Sequence, residues 1–297
     1  AVMKELKNDG NTSLHLRKQL AAKVFRHTAQ YDTLIAHYFM QDEQEVFPEQ
    51  LTLTYEKKQT LRYGENPHQK AAFYQEVLPR DGSIGNGKQL NGKELTYNNI
   101  QDGNAALHIV REFKEPAAVA VKHMNPCGVG IGETIEIAFE RAYEADPVSI
   151  FGGIVALNRE VNQEVALKMK EIFLEIIIAP AFTKEALEIL SVKKNLRLLT
   201  VPMETTLTST KKITSVYGGL LIQEEDMYTL KDGTITIPTK REPTDKEWKD
   251  LKLAWQVVKH VKSNAILLVK DEMTIGVGAG QMNRVGAANI AIQQAGE

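Results

Sequence analysis

Three short apolar runs constrain this chain most: "AAVAV" (117–121), "GIVALN" (153–158) and "EIIIAP" (175–180). None alternates apolar with polar residues, so a strand built from any of them needs cover on both faces. Helix-like stretches lie around them, over 102–113, 133–145, 162–173 and 183–190. Buried strands interleaved with helices predict an α/β layer structure.

The chain has 297 residues, a length that suggests about two domains. Residues 14–39 predict one long helix capped at Thr12 or Ser13. Leu16, Leu20, Val24, Ala29, Leu34 and Phe39 keep helical spacing only roughly, so its buried face is expected to be broad. "MQDEQEVFPEQ" (40–50) loses periodicity, carries acid and contains Pro48, which predicts a linker and a domain boundary. The expected division is 1–45 and 46–297.

Beyond the linker, Leu51, Leu53 and Tyr55 alternate as in a strand. Residues 71–77 predict another strand, and 79–94 a surface loop rich in turn residues. Residues 202–246 are polar and show no clear pattern. Trp248–Val261 reads as a helix. "AILLVK" (265–270) and "MTIGVGAG" (273–280) read as a hairpin turning at Asp271-Glu272, followed by a terminal helix from Arg284. The chain shows no short-period repeat, low-complexity tract or coiled-coil heptad.

Apolar residues make up 43% and charged residues 25%, enough apolar material for a large core. A formal charge of -2 argues against a surface that tracks nucleic-acid phosphates, though a local anion site stays open. Cys127 is the only cysteine, so no internal disulfide and no cysteine-based zinc cluster can form, as suits a reducing cytosol. The longest apolar runs fall far short of the roughly 20 residues that cross a bilayer. The N-terminus has no signal-peptide apolar region and does not begin with Met, which reads as a cut or processed end.

Several stretches carry groups capable of chemistry. In "LRYGENPHQ" (61–69), Arg62 offers a planar fork for phosphate or carboxylate and Tyr63 an aromatic face with a hydroxyl. His68 titrates near neutral pH. Local composition alone favours a polar turn there. In "VKHMNPCGVG" (121–130), Lys122 and His123 stand where an apolar strand stops. Successive strand side chains point to opposite faces, so both reach one ligand only if the backbone bends. Asn125-Pro126 and Gly128 are expected to supply that bend. Ligands in open α/β sheets collect at the carboxyl ends of strands, which raises the functional reading of the pair level with an ordinary strand end. Cys127 has no assignable base and reads as structural.

"GVGAGQMNR" (276–284) is not a dinucleotide fingerprint and is a weak signal on its own. Its simplest reading is a tight strand-to-helix turn, although Gln281, Asn283 and Arg284 at a helix start would suit an anion. Asn264 in "KSNAI" begins a strand, and Glu175 begins "EIIIAP". His15, His27, His37, His108 and His260 lack metal-ligand spacing and read as structural or surface residues. No metal site is predicted.

Taken together, "LRYGENPHQ", "VKHMNPCGVG", "DPVSIFGGIVALN", "EIIIAP", "KSNAI" and "GVGAGQMNRVGAA", in this order, closely resemble the bifunctional AICAR transformylase/IMP cyclohydrolase family of purine synthesis. The resemblance spans nearly the whole chain and is weakest over 202–246. It implies that residues 1 to about 40 are the helical tail of the cyclohydrolase domain. The rest is then most of a transformylase region built of cytidine-deaminase-like α/β/α units, with a further segment expected beyond residue 297. The implied reaction moves a formyl group from the co-substrate 10-formyltetrahydrofolate to the 5-amino group of AICAR, with cyclohydrolase activity in the full-length protein. The resemblance implies that His123 is the base, that Lys122 stabilises charge and helps protonate the leaving nitrogen, and that Asn264 is a hydrogen-bond donor at the reacting carbonyl. Arg62 and Tyr63 are matched to the nucleotide and its phosphate, Arg284 to AICAR, and His68 to a further active-site histidine. Glu175 is matched to folate, and Gln281 is grouped with it on the folate side. Some family members hold a structural potassium ion. A cytoplasmic homodimer with shared sites is implied, with no nucleic-acid or membrane partner. The alternatives are a fragment that binds nucleotide and dimerises without turnover, and an α/β oligomerisation module.

Overall fold

A computed structural model of the protein describes residues 1–40, 46–78, 80–204, 211–231 and 233–296. The chain divides into two compact units: Ala1–Gln59 with Tyr74–Leu78, and Thr60–Phe73 with Pro79–Glu297. Part of the expected linker, residues 41–45, lies outside the described residues.

In the first unit, α1 (Val2–Asp9) ends at Gly10, whose left-handed φ of 67° lets its N–H reach the Leu6 carbonyl. Helix α2 (Leu14–Met40) runs nearly over the expected span and starts from Ser13, whose Oγ accepts the Leu16 N–H. The expected broad buried face is not found. Leu16 is the one buried residue of α2, and Val24, Phe25, Tyr31, Tyr38 and Phe39 are exposed. Strand β1 (Tyr55–Leu61) starts only after the alternation at Leu51 and Leu53. It pairs with β2 (Ala71–Glu76), and the division between the units falls within this ribbon.

The second unit holds β3 (Lys88–Asn91), α3 (Tyr97–Val110), β4 (Ala117–Lys122), β5 (Asn125–Ile131) and α4 (Ile135–Ala145). There follow β6 (Ile154–Leu157), α5 (Gln163–Glu171), β7 (Ile176–Ala179), α6 (Lys184–Leu190) and β8 (Arg197–Thr200). After the ribbon β9 (Lys211–Val216) and β10 (Gly219–Glu224) come α7 (Asp245–Val258), β11 (Ile266–Lys270), β12 (Met273–Gly278) and α8 (Arg284–Ala295). Eight strands form one mixed sheet in the order β11-β12-β5-β4-β6-β7-β8-β3. β6, β7 and β8 are parallel, and the other pairings are antiparallel.

The apolar runs explain the layers. Every residue of β6 and β7 is buried, as is β4 up to Lys122. Alternate residues feed two cores. Ala118, Ala120, Val155, Leu157 and Ile177 pack with Phe139, Val165, Met169 and Leu190 of α4, α5 and α6. Ala117, Val119, Val121, Ile154 and Ile176 pack with Leu107, Ile109 and Val110 of α3 and with Leu253 and Val257 of α7. The outcome is the expected α/β arrangement with helices on both faces of the sheet.

One unit of structure occurs twice at identical spacing. Thr96 caps α3, Asp102 follows within that helix, and a turn at His123–Met124 joins β4 to β5. Thr244 caps α7, Asp250 follows, and a turn at Asp271–Glu272 joins β11 to β12. Each hairpin leads into a helix, α4 or α8, that approaches two of its glycines. A Cβ on Gly128 would lie 2.1 Å from the Ala142 carbonyl oxygen, and one on Gly276 2.0 Å from that of Ala291. Glycine is what lets backbone meet backbone there.

Candidate active site

Strand β4 leaves the core at Lys122, which is half-buried, and His123 beyond it is exposed. His123 and Met124 both have left-handed backbone, with φ of 53° and 62°. Lys122 pairs with Asn125, so two residues reverse the chain. This is the geometry of a primed hairpin turn, which favours Asn-Gly. With ordinary side chains the left-handed conformation costs roughly 1–2 kcal/mol per residue. Helix α3 offsets that cost. The Asp102 carboxylate accepts the His123 N–H at 3.2 Å and the Met124 N–H at 2.8 Å. On the other side, Asn125 Nδ2 donates to the His123 carbonyl at 3.0 Å.

The expectation that Asn125-Pro126 and Gly128 make the bend is therefore corrected: all three lie inside β5, and the turn residues are His123 and Met124. Ala120 faces Gly128 and Val121 faces Pro126, which leaves Cys127 as the extra residue of a β-bulge. Burial, and then the charge of Asp146, push the Cys127 thiol up to about 12. This agrees with a structural cysteine.

Strand directions bring Glu175, Asn264 and Gln281 to the same edge of the sheet. The end of β4, the start of β5, the end of β12 and the start of β11 share it with the starts of β6, β7 and β8. Of the strands that carry candidate residues, β4 and β12 alone meet this edge with their carboxyl ends, because their neighbours run the other way. Lys122 Nζ donates to the Phe151 carbonyl at 2.6 Å, just before β6. Glu175, just before β7, accepts from Asn99 Nδ2 at 2.7 Å and lies 4.0 Å from Arg197 Nη1. Burial raises the Asp102 carboxyl above the usual range, against the pull of the His123 and Met124 N–H groups, and Asp102 feels the charges of both His123 and Glu175. Burial likewise lowers Arg197, which interacts with Glu175 and Tyr63.

Tyr63 and Arg62 stand side by side, with Arg62 Cζ 5.7 Å from the ring centroid. Their loop closes on itself, since the Gly64 N–H donates to the Gln69 carbonyl at 2.8 Å and the Gln69 N–H to that of Asn66 at 3.0 Å. His68 is exposed within it. On the other flank, Asn125 Oδ1 accepts the Lys262 N–H at 3.4 Å. Asn264 and Gln281 exchange backbone hydrogen bonds of 3.0 and 3.2 Å, and Asn264 Nδ2 also donates to the Gln281 carbonyl. Arg284 is exposed at the first position of α8, whose N-cap Asn283 accepts the Gly286 N–H.

A line of hydrogen bonds, one ion pair, charge interactions (Tyr63 with Arg197, Glu175 with Asp102) and chain neighbours therefore runs from Tyr63 through Arg197, Glu175 and Asp102 to His123 and Lys122, and on through Asn125 and Lys262 to Asn264 and Gln281. His68 and Arg284 belong to the same unit but enter no hydrogen bond or ion pair with this line among the described residues. The sequence reading missed Asp102, Asn99 and Arg197. The signal for Asp102 was the repeat: Thr96 and Thr244, Lys122 and Lys270, and two Gly-Val-Gly triplets recur at one spacing. Among the described residues, no three His, Cys, Asp or Glu side chains converge to hold a metal ion. Among them, too, no helix is long and apolar enough to cross a membrane.

The layers and this edge define an α/β protein with an imidazole, an ammonium group and side-chain amides gathered at one side of its sheet. A model of the AICARFT/IMPCHase bienzyme family matches residues 1–294, and the chain belongs to that family. It is 67% identical over 296 residues to the bifunctional purine biosynthesis protein PurH of Halalkalibacterium halodurans. It is 66% identical over 296 residues to proteins of the same name from Bacillus cereus and Bacillus anthracis. These alignments cover 100% of this chain and 58% of each relative, so the chain spans little more than half their length.

Proposed function

We propose that the second unit carries formyl transfer from 10-formyltetrahydrofolate to the 5-amino group of AICAR, a step of purine synthesis. The observation that supports it is the His123–Met124 reversal, which sets Lys122 and His123 beside each other on the edge shared by Glu175, Asn264 and Gln281. The AICAR amine is a weak nucleophile because its lone pair is delocalised into the imidazole ring. His123 takes the proton that the amine loses as its nitrogen bonds to the formyl carbon. Negative charge then gathers on the formyl oxygen, where the Lys122 ammonium and the Asn264 amide stabilise it. The bond from carbon to the folate nitrogen breaks, Lys122 helps protonate that nitrogen, and tetrahydrofolate leaves. Arg62 and Tyr63 bind the nucleotide and its phosphate, and Arg284 and His68 complete the AICAR side. Glu175 and Gln281 face the folate. The cyclohydrolase activity and a homodimer that shares sites belong to the longer protein.

Formation of tetrahydrofolate, followed spectrophotometrically, tests this. His123→Ala is expected to lower kcat by about 10²–10⁴-fold with the AICAR Kd nearly unchanged. Arg62→Ala is expected to weaken AICAR about tenfold or more. Wild-type turnover in the first variant removes His123 from the chemistry. Binding of AICAR without transfer by the parent chain favours a nucleotide-binding module instead.

A further inference from the structure

We propose that Asp102 is the positioning residue of this edge: it holds the His123–Met124 turn and thereby aims the Lys122–His123 pair. The inference rests on the formyl-transfer reading for its consequence in turnover, but its structural part stands without it. Two residues that disfavour a left-handed turn form one here. Each oxygen of one carboxylate receives one of the two turn N–H groups. Asp102 sits in α3, not in the hairpin, so the direction of the pair is set by a helix on the face of the sheet. Among the described residues the Asp102 carboxylate hydrogen-bonds the turn backbone and neither the His123 nor the Lys122 side chain, so its hold on the pair is first of all geometric.

The molecule contains its own control. Asp250 in α7 accepts the Asp271 N–H at 3.2 Å and the Glu272 N–H at 2.8 Å, distances equal to those at Asp102. That second turn is also left-handed, with φ of 56° and 62°. It lies at the opposite edge of the sheet, and its side chains engage Lys246 and Arg141. Asp102 and Asp250 therefore serve the same backbone need, and only one of the turns carries an imidazole. Any difference between the two in turnover reports what the first turn aims rather than what it stabilises.

Asp102→Ala and Asp250→Ala, with Asp102→Asn as a milder variant that keeps one acceptor oxygen, separate these roles. Backbone amide exchange is expected to speed up at 123 and 124 in Asp102→Ala and at 271 and 272 in Asp250→Ala, each leaving the other turn protected. Turnover is expected to fall about 100-fold in Asp102→Ala with the KM for AICAR within about threefold, because a misplacement of about 1 Å has that effect. Asp250→Ala should keep kcat within about twofold at a comparable loss of Tm. Asp102→Asn should fall between, and it carries the test if Asp102→Ala does not fold. Equal loss of turnover in both alanine variants, or wild-type kcat in Asp102→Ala, overturns the proposal. If the parent chain transfers no formyl group, the formyl-transfer reading fails. Exchange then decides this one alone: loss of protection confined to 123 and 124 supports it, and unchanged exchange there overturns it.

Discussion

Cys127 shows how a reactive residue type is made inert. It is the extra residue of the bulge in β5, its Sγ lies 3.5 Å from the Ala120 carbonyl, and burial keeps its thiol protonated. The thiolate is the species that alkylates. Iodoacetamide at pH 8 is therefore expected to modify native Cys127 at least about 100 times more slowly than the urea-unfolded chain. Equal rates, read by intact mass, would show an accessible thiol. The same scale sets what was legible in the site. Lys122 and His123 announce themselves as titratable groups at a strand end. Asp102 does not, since one acid in a helix is ordinary until the turn it serves is known. Arg197 and Asn99 are hidden for a similar reason: their partner, Glu175, is reached only across the sheet.

Elements were legible where burial wrote a pattern and illegible where it did not. β4, β6 and β7 stand within a residue or two of their expected bounds because unbroken apolar runs leave no other fold open. β5 was missed because "NPCGVGI" has the composition of a turn. Its glycines are there to admit the backbone of α4. Gly128→Ala is thus expected to cost about 1–3 kcal/mol by overpacking, with a matching loss for Gly276→Ala against α8. Urea denaturation measures both, and a change below about 0.5 kcal/mol would mean that the helices yield easily. Helix α3 begins at Tyr97, ahead of the expected 102, since Thr96 and Asn99 form a reciprocal cap. The ribbon β9–β10 left no trace, because its residues are exposed or half-buried on both faces and no alternation results.

For the whole molecule, composition and apolar rhythm gave the layered class, whereas strand order and the doubled unit needed tertiary structure. The second unit also carries a charged cluster that includes none of the candidate residues. Glu112 in this cluster accepts from Lys259 Nζ at 2.8 Å and lies 2.9 Å from His260 Nε2. Burial pushes the Glu112 carboxyl up, but hydrogen bonds from His260 and Lys259 outweigh it and leave the carboxyl below its ordinary 4.5. A carboxyl lowered by folding contributes stability that is whole above pH 4.5 and drains as the pH falls through the folded value. Glu112→Gln is expected to cost about 1–2 kcal/mol at pH 7, allowing for partial solvent screening, and to flatten the acid limb of Tm against pH. Parallel acid limbs in the two proteins would discount the cluster.

The borrowed carboxylate beneath the His123–Met124 turn also bears on how the hairpin closes. A hairpin closed by Asn-Gly can nucleate from its own sequence. One closed by His-Met has no such head start, and its closure is coupled to α3, which delivers Asp102 from more than twenty residues upstream. The ammonium and imidazole thus owe their orientation to a contact made far along the chain, and whatever loosens α3 loosens their aim.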